Sequence, residues 1–318
     1  MLKLTTKPLL ILACAIALIA CEKKDDTFTE VTQMTAKPYI CALEKDHNPP
    51  LDPEADKYFK EAVALEKTNG WEDWPKIVHL YEKAIEKNHW KAMYNLAGHY
   101  KTGEYGRNDE VDHPTAVKKD IDKMVALHYQ MVKLEVPLGY YTFAMDINNG
   151  YVRDADKKSA ALYFGKAVEL GYPLALVSRG NYYAFSLPRG EQRYDIAEQY
   201  FKCVGKQDNT KALIEVADFY KIAKENMPLS VYYYQKAASL GDLTAMMVMK
   251  YVFDNKSDLV DRFGYEPDQN LVELYTDLYY QLDKNADLKF PNLLKEHPLP
   301  RHPTQGYDAD NPDVRPTE

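Results

Sequence analysis

Gly139 to Ala175 reads GYYTFAMDINNGYVRDADKKSAALYFGKAVELGYPLA. It predicts two short helices joined by a turn. Gly139, Phe143, Ala144 and Ile147 fall at offsets of 0, 4, 5 and 8, which places them on one apolar stripe of a helix. Asn149-Gly150 breaks that helix, and Asp154 is a candidate N-cap for a second one. The second helix offers Ala160, Tyr163, Ala167 and Leu170 to a core, and Gly171 followed by Pro173 stops it. Gly139, Ala144 and Ala167 are small, so the two helices are expected to approach closely. A helix pair of this kind leaves an apolar face open and needs neighbours.

The neighbours are present. Small residues equivalent to Gly139 stand at Ala55, Ala92, Ala175, Ala212 and Ala245, at successive intervals of 37, 47, 36, 37 and 33 residues. An apolar residue near offset 4, a small one near 5 and an aromatic or aliphatic one near 8 recur in Ala92/Leu96/Ala97/Tyr100 and Ala212/Val216/Ala217/Tyr220; Ala175/Gly180/Tyr183 keeps the last two. Ahead of the anchors run Tyr81-Glu-Lys-Ala84, Phe164-Gly-Lys-Ala167 and Tyr234-Gln-Lys-Ala237, with Tyr200-Phe-Lys-Cys203 displaced by one residue. Self-similarity at this period marks a helical solenoid, in which each repeat buries its face on the next.

The pattern A-x3-L-G-x2-Y-x2-G-x-G-V-x2-D followed by Y-x-K-A-A-x2-G resembles the Sel-one-like repeats, relatives of the tetratricopeptide repeat. The best copy is Gly139 to Gly171, with Gly150-Tyr151-Val152 and Asp154, and the likeness extends over roughly Glu54 to Asp254. Copies at Ala55, Ala175 and Ala245 lack the glycine turn, so their loops should differ. The resemblance implies an all-α, right-handed solenoid of about six helix-turn-helix repeats that binds other proteins. The organisation expected is a signal at 1–20, an N-terminal tether at 21–50, repeats at 51–258, a capping helix at 259–290 and a proline-rich acidic tail at 291–318.

Met1 to Ala20 carries Lys3 and Lys7, then an apolar run from Leu9, too short to remain as a spanning helix. Leu18-Ile19-Ala20-Cys21 looks like a bacterial lipobox, in which Cys21 becomes the acylated first residue; the plainer reading is an ordinary cleaved signal or an uncleaved anchor. Several acyl chains on one cysteine give firm anchoring. Glu22 is not the aspartate of an inner-membrane retention signal, which points to the outer membrane of a Gram-negative cell, facing the periplasm. Loss of Lys3 and Lys7 takes the formal charge from -8 to -10. An acidic, anchored chain gives no footing for nucleic acid. Glu22 to about Thr35 is a polar tether whose average span is about 20 Å.

Cys41 and Cys203 are the two cysteines of the mature body. In an oxidising compartment they make one disulfide, worth on the order of 4–5 kcal/mol less any strain. The alternative is two buried thiols serving as small apolar side chains. Pro49-Pro50-Leu51-Asp52-Pro53 is a rigid entry to the first helix. Gly103 to Thr115 is an insertion expected as an exposed loop at a binding edge. Gly190-Glu-Gln-Arg193 reads as a shorter loop of mixed charge. Asp268 to Lys284 reads as an amphipathic cap through Leu271, Leu274, Tyr275, Leu278 and Leu282. After Pro291 the chain is proline-rich and expected to be extended.

Chemistry finds little support. His79, His89 and His99 are too far apart for a paired metal site on one helix and are best read as surface or satisfied core histidines. Asp308-Ala-Asp310-Asn-Pro-Asp313 lacks the glycine and closing glutamate of a calcium loop. No phosphate loop and no nucleophile elbow occurs. Neither an enzyme, a metal, a cofactor nor a small-molecule substrate is expected.

A binding face is expected instead. In the related tetratricopeptide geometry the first helix of each repeat lines the concave side, here at offsets of about 2 and 6 from each anchor. Those positions are Tyr94, Tyr141, Val177, Ile214 and Met247, then Met145, Asn181, Asp218 and Tyr251. An exposed apolar stripe of this length suits a protein partner; superhelical twist or a covering tail would bury it instead. Cys41-Ala-Leu-Glu, Pro-Pro-Leu-Asp-Pro-Glu-Ala-Asp56, Asp73-Trp74-Pro75 and His89-Trp90-Lys91-Ala92 further resemble bacterial Sel-one-like lipoproteins. Some of that group are similar to immunity proteins encoded beside type VI secretion toxins, notably phospholipases. The implied role is to bind and block such a secreted effector; the competing one is an adaptor or assembly lipoprotein of the envelope or a host-contact factor.

Overall fold

The computed structural model describes residues 39–104 and 116–306. Residues 41–318 group as one body and 1–40 as another, of which only Tyr39 and Ile40 are described. The lipobox with Cys21, the tether, most of the 103–115 insertion and the acidic end of the tail therefore lie outside the described residues.

The described chain is a succession of helices: α1 Pro53–Ile85, α2 Trp90–Thr102, α3 Ile121–Lys133, α4 Pro137–Asn148, α5 Lys157–Glu169, α6 Pro173–Asn181, α7 Tyr194–Val204, α8 Thr210–Ile222, α9 Met227–Ser239, α10 Leu243–Val252, α11 Asp258–Phe263, α12 Gln269–Lys284 and α13 Leu293–Glu296. Antiparallel pairs α2/α3, α4/α5, α6/α7 and α8/α9 pack within each repeat, and α10 pairs with α12. This is the all-α solenoid that the periodicity predicts.

The anchors do what the repeat requires. Ala55, Ala92, Ala175, Ala212 and Ala245 are all fully buried, as are the second-helix alanines Ala84, Ala167 and Ala237. A buried methyl at these positions lets backbones approach without leaving a void. Four first helices are capped in one way: a side chain three residues before the anchor accepts the anchor's N–H. Asp52, His89, Asn209 and Asp242 do this for Ala55, Ala92, Ala212 and Ala245, at 2.9–3.1 Å. The other two, α4 and α6, start instead with Pro137 and Pro173, which forgo the unpaired N–H altogether.

Two local expectations are corrected, and the first repeat turns in its own way. The cap of α5 is Asp156, whose carboxylate accepts from the N–H of Ser159 at 2.8 Å, while Asp154 sits in the turn with φ +61°. The close approach at Gly139 is to the preceding helix: a Cβ there would stand 2.5 Å from Cβ of Met131. The first repeat doubles back within α1 itself. Lys87 Nζ meets Glu54 Oε2 at 2.6 Å and Tyr81 Oη meets Glu66 Oε1 at 2.6 Å, whereas a straight helix would hold Glu54 and Lys87 about 50 Å apart. Lys76 Nζ meets Glu61 Oε1 at 2.9 Å, so the reversal falls between Glu66 and Lys76.

The cap and tail are packed. Tyr275 and Leu282 of α12 are buried. Beyond it, Phe290 N–H donates to Ser239 O at 2.7 Å and the Gln235 amide donates to His297 O at 2.7 Å. His302 ends the described tail as a hook, its Nε2 donating to Phe263 O at 2.8 Å while its Nδ1 accepts from Gln305 N at 3.1 Å. These contacts lie on second helices and the capping segment.

Candidate functional site

The first-helix face is uneven. Tyr94 and Met247 are exposed; Tyr141, Met145, Asn181, Ile214, Asp218 and Tyr251 are half-buried. Val177 departs from expectation, at 5 % exposure. Short α6 is packed by α5, α7 and α8, and the 41–47 segment crosses its start at Gly171, so this position is closed in. Asp218 and Asn181 are also engaged at home. Asp218 Oδ1 accepts from Tyr234 Oη at 2.8 Å and from Lys221 Nζ at 2.7 Å, and the Asn181 amide donates to Glu215 Oε2 at 3.2 Å across to α8. The stripe is thus interrupted at α6, with members left on α2, α4, α8 and α10.

Tyr94, Tyr141 and Met145 line one hollow of about 530 Å³, bounded by α2, α4, Glu66 of α1, Glu104 at the base of the insertion and α3 beneath. Tyr141 leans on Tyr172, with ring centroids 4.9 Å apart, which fixes its orientation. Gly98 leaves the middle of α2 bare; a Cβ there meets nothing within 4 Å.

Sequence reasoning missed what stands behind these tyrosines. His99 Nε2 is 2.7 Å from Glu66 Oε1 and its Nδ1 is 2.7 Å from Glu104 Oε1. Two carboxylate acceptors need two ring N–H groups, and only the imidazolium has both. Burial by itself draws the His99 pKa down, but the hydrogen bonds and charges of Glu66 and Glu104 outweigh it and hold the pKa above the ordinary value. Burial likewise pushes Glu66 up, and His99 with Tyr81 more than reverses this. Tyr81 donates to the same Glu66 oxygen and accepts from Asn95 at 3.1 Å. On the floor, His128 Nδ1 donates to Asp146 Oδ2 at 2.6 Å, both side chains buried. These residues sit in different repeats, so no spacing rule could assemble them; buried helix histidines were the only signal. Among the described residues no cluster is arranged to hold a metal ion.

Cys41 and Cys203 are joined as a disulfide, with Cα atoms 5.4 Å apart. Gln207 reinforces the junction, accepting from Glu44 N and donating to Gly171 O, each at 3.0 Å. The N-terminal segment is thereby fastened to the fourth repeat and not to the first.

No protein-family model matches the chain, and no curated protein matches it. Solved structures do. An immunity protein of Pseudomonas aeruginosa, PA5088, is 40% identical with a TM-score of 0.69, over 87% of this chain and 99% of its own. Another immunity protein of that organism, Pa5087, is 38% identical with a TM-score of 0.70, over 87% of this chain and 100% of its own. The chain belongs to their family. A third Pseudomonas aeruginosa protein, PA5086, is 38% identical with a TM-score of 0.71 over the same shares. The likeness spans 87% of this chain and nearly the whole of each relative, so the helical array is shared along most of its length.

Proposed function

We propose that this chain is an immunity protein that binds a cognate type VI secretion effector and blocks it in the periplasm, without catalytic turnover of its own. The observation that carries this is identity of 38% and 40% over 87% of the chain to two proteins described as immunity proteins. An acylated Cys21 would hold it at the outer membrane, where such effectors arrive; the Leu-Ile-Ala-Cys run supports that reading. Phospholipase effectors are the class to test first, because a lipid-anchored guard is stationed at their substrate.

The test is capture. The chain from Glu22 to Glu318 serves as bait for the secreted fraction of its own cell and, in parallel, for its envelope proteins. Recovery of a secreted toxin whose activity the bait abolishes is the expected outcome. Tyr94→Asp and Tyr141→Asp should each weaken that complex at least tenfold, about 1.4 kcal/mol. Recovery of a resident envelope complex alone would replace immunity by an adaptor role.

A further inference from the structure

The hollow between α2 and α4 has a chemistry of its own. Three carboxylates line it, Glu66, Glu104 and Asp146, against Lys101 at its margin and the imidazolium of His99, so the lining stays net negative. The two histidines present are each committed to those carboxylates, His99 to Glu66 and Glu104, His128 to Asp146. Tyr94 and Tyr141 line the same hollow, and so does bare Gly98, where a Cβ would meet nothing within 4 Å. An anionic group would meet the three acids, and a purely apolar one would strand them without solvent. A cation gains from acids and rings together.

We propose that this hollow receives one arginine side chain of the protein partner. A planar guanidinium stacks on tyrosine while donating side-on to carboxylate, which the compact ammonium of lysine cannot do in one pose. A hollow of about 530 Å³ is roomy enough for such a side chain together with the backbone that presents it. The assignment rests on the immunity reading only for which macromolecule carries the arginine.

The test does not need the toxin. N-acetyl-arginine methylamide is titrated into the isotopically labelled full chain and followed by NMR, with the citrulline compound as an uncharged match in shape and the lysine compound as a second control. The arginine compound should shift the amides of Gly98 and Thr142 saturably, with a Kd of a few mM, on the order of 4 kcal/mol. Citrulline should leave them in place, and lysine should bind roughly tenfold more weakly. Gly98→Leu fills the hollow from a position with free space and better helix propensity, so the variant folds and should lose the response. Glu104→Gln should weaken it as well. An absent arginine response, an equal response to citrulline or lysine, or a response that survives Gly98→Leu would overturn the assignment. Failure to capture a toxin would leave this titration's answer unchanged, so the two readings fail separately.

Discussion

Two glycines show how differently one residue type is used. Gly139 lies against Met131 so closely that an added Cβ has no room, whereas Gly98 faces open space on its helix. Gly139→Ala should therefore cost about 1–3 kcal/mol through overpacking, and Gly98→Ala should stabilise by roughly 0.5–1 kcal/mol through helix propensity. Urea midpoints of the two variants compare these directly; equal effects would contradict the packing given for Gly139. His99 offers a second test at this scale. A folded-state pKa above the ordinary value means its contribution is fully present below about pH 6.5 and is lost as pH rises through that raised pKa. Glu66, held low, works in the opposite sense, contributing above about pH 4.3 and losing that contribution as pH falls through its lowered value. His99→Leu should thus cost about 1.5–3 kcal/mol near pH 6 and distinctly less at pH 9, read from unfolding curves across that range.

At the scale of elements, the disulfide and the caps divide the labour. Each capped first helix depends on one side chain three residues ahead of its anchor, and Asn209→Ala should cost about 1 kcal/mol. The caps at Asp52, Asn209 and Asp242 are visible in the sequence as polar residues at a fixed offset, whereas Asp154 misled because the loop after Gly150 runs two residues further before α5 begins. Cys41–Cys203 acts over a separation of 162 residues, so its removal should be felt across the array. Cys41→Ser is expected to lower stability by about 2–5 kcal/mol under oxidising conditions and to leave it unchanged under reducing ones, where the wild type has already lost the link. Thermal unfolding with and without dithiothreitol decides this, and wild type insensitive to reductant would show that the link carries no stability.

For the molecule as a whole, the first and last parts of the array meet: Lys67 of α1 pairs with Asp287, just past α12. Both side chains are well exposed, so the pair reports proximity and contributes at most about 1 kcal/mol; Asp287→Ala should hardly move the unfolding midpoint. The tail is different. Leu293, Leu299 and His302 are buried against the second-helix side, and ending the chain at Asp287 should cost about 3 kcal/mol or more from the two leucines alone. Such a truncation should leave the arginine response of the α2–α4 hollow intact, because the tail's hydrogen bonds are made elsewhere.

Period, anchor and stop signal are local properties, and the chain declares them in order: small residues at six anchors, Lys-Ala pairs before three of them and polar or proline starts ahead of each first helix. Those determined the solenoid. Placement across repeats depends on how successive pairs rotate on one another, and that rotation is summed over packing contacts which no single window contains. The Cys41–Cys203 link is the expected pairing of the two body cysteines, whereas only tertiary structure could decide that Val177 is enclosed and that His99 of α2 lies between Glu66 and Glu104. The hollow between α2 and α4 has the same origin: its walls come from four separate elements whose distance along the chain says nothing of their distance in space.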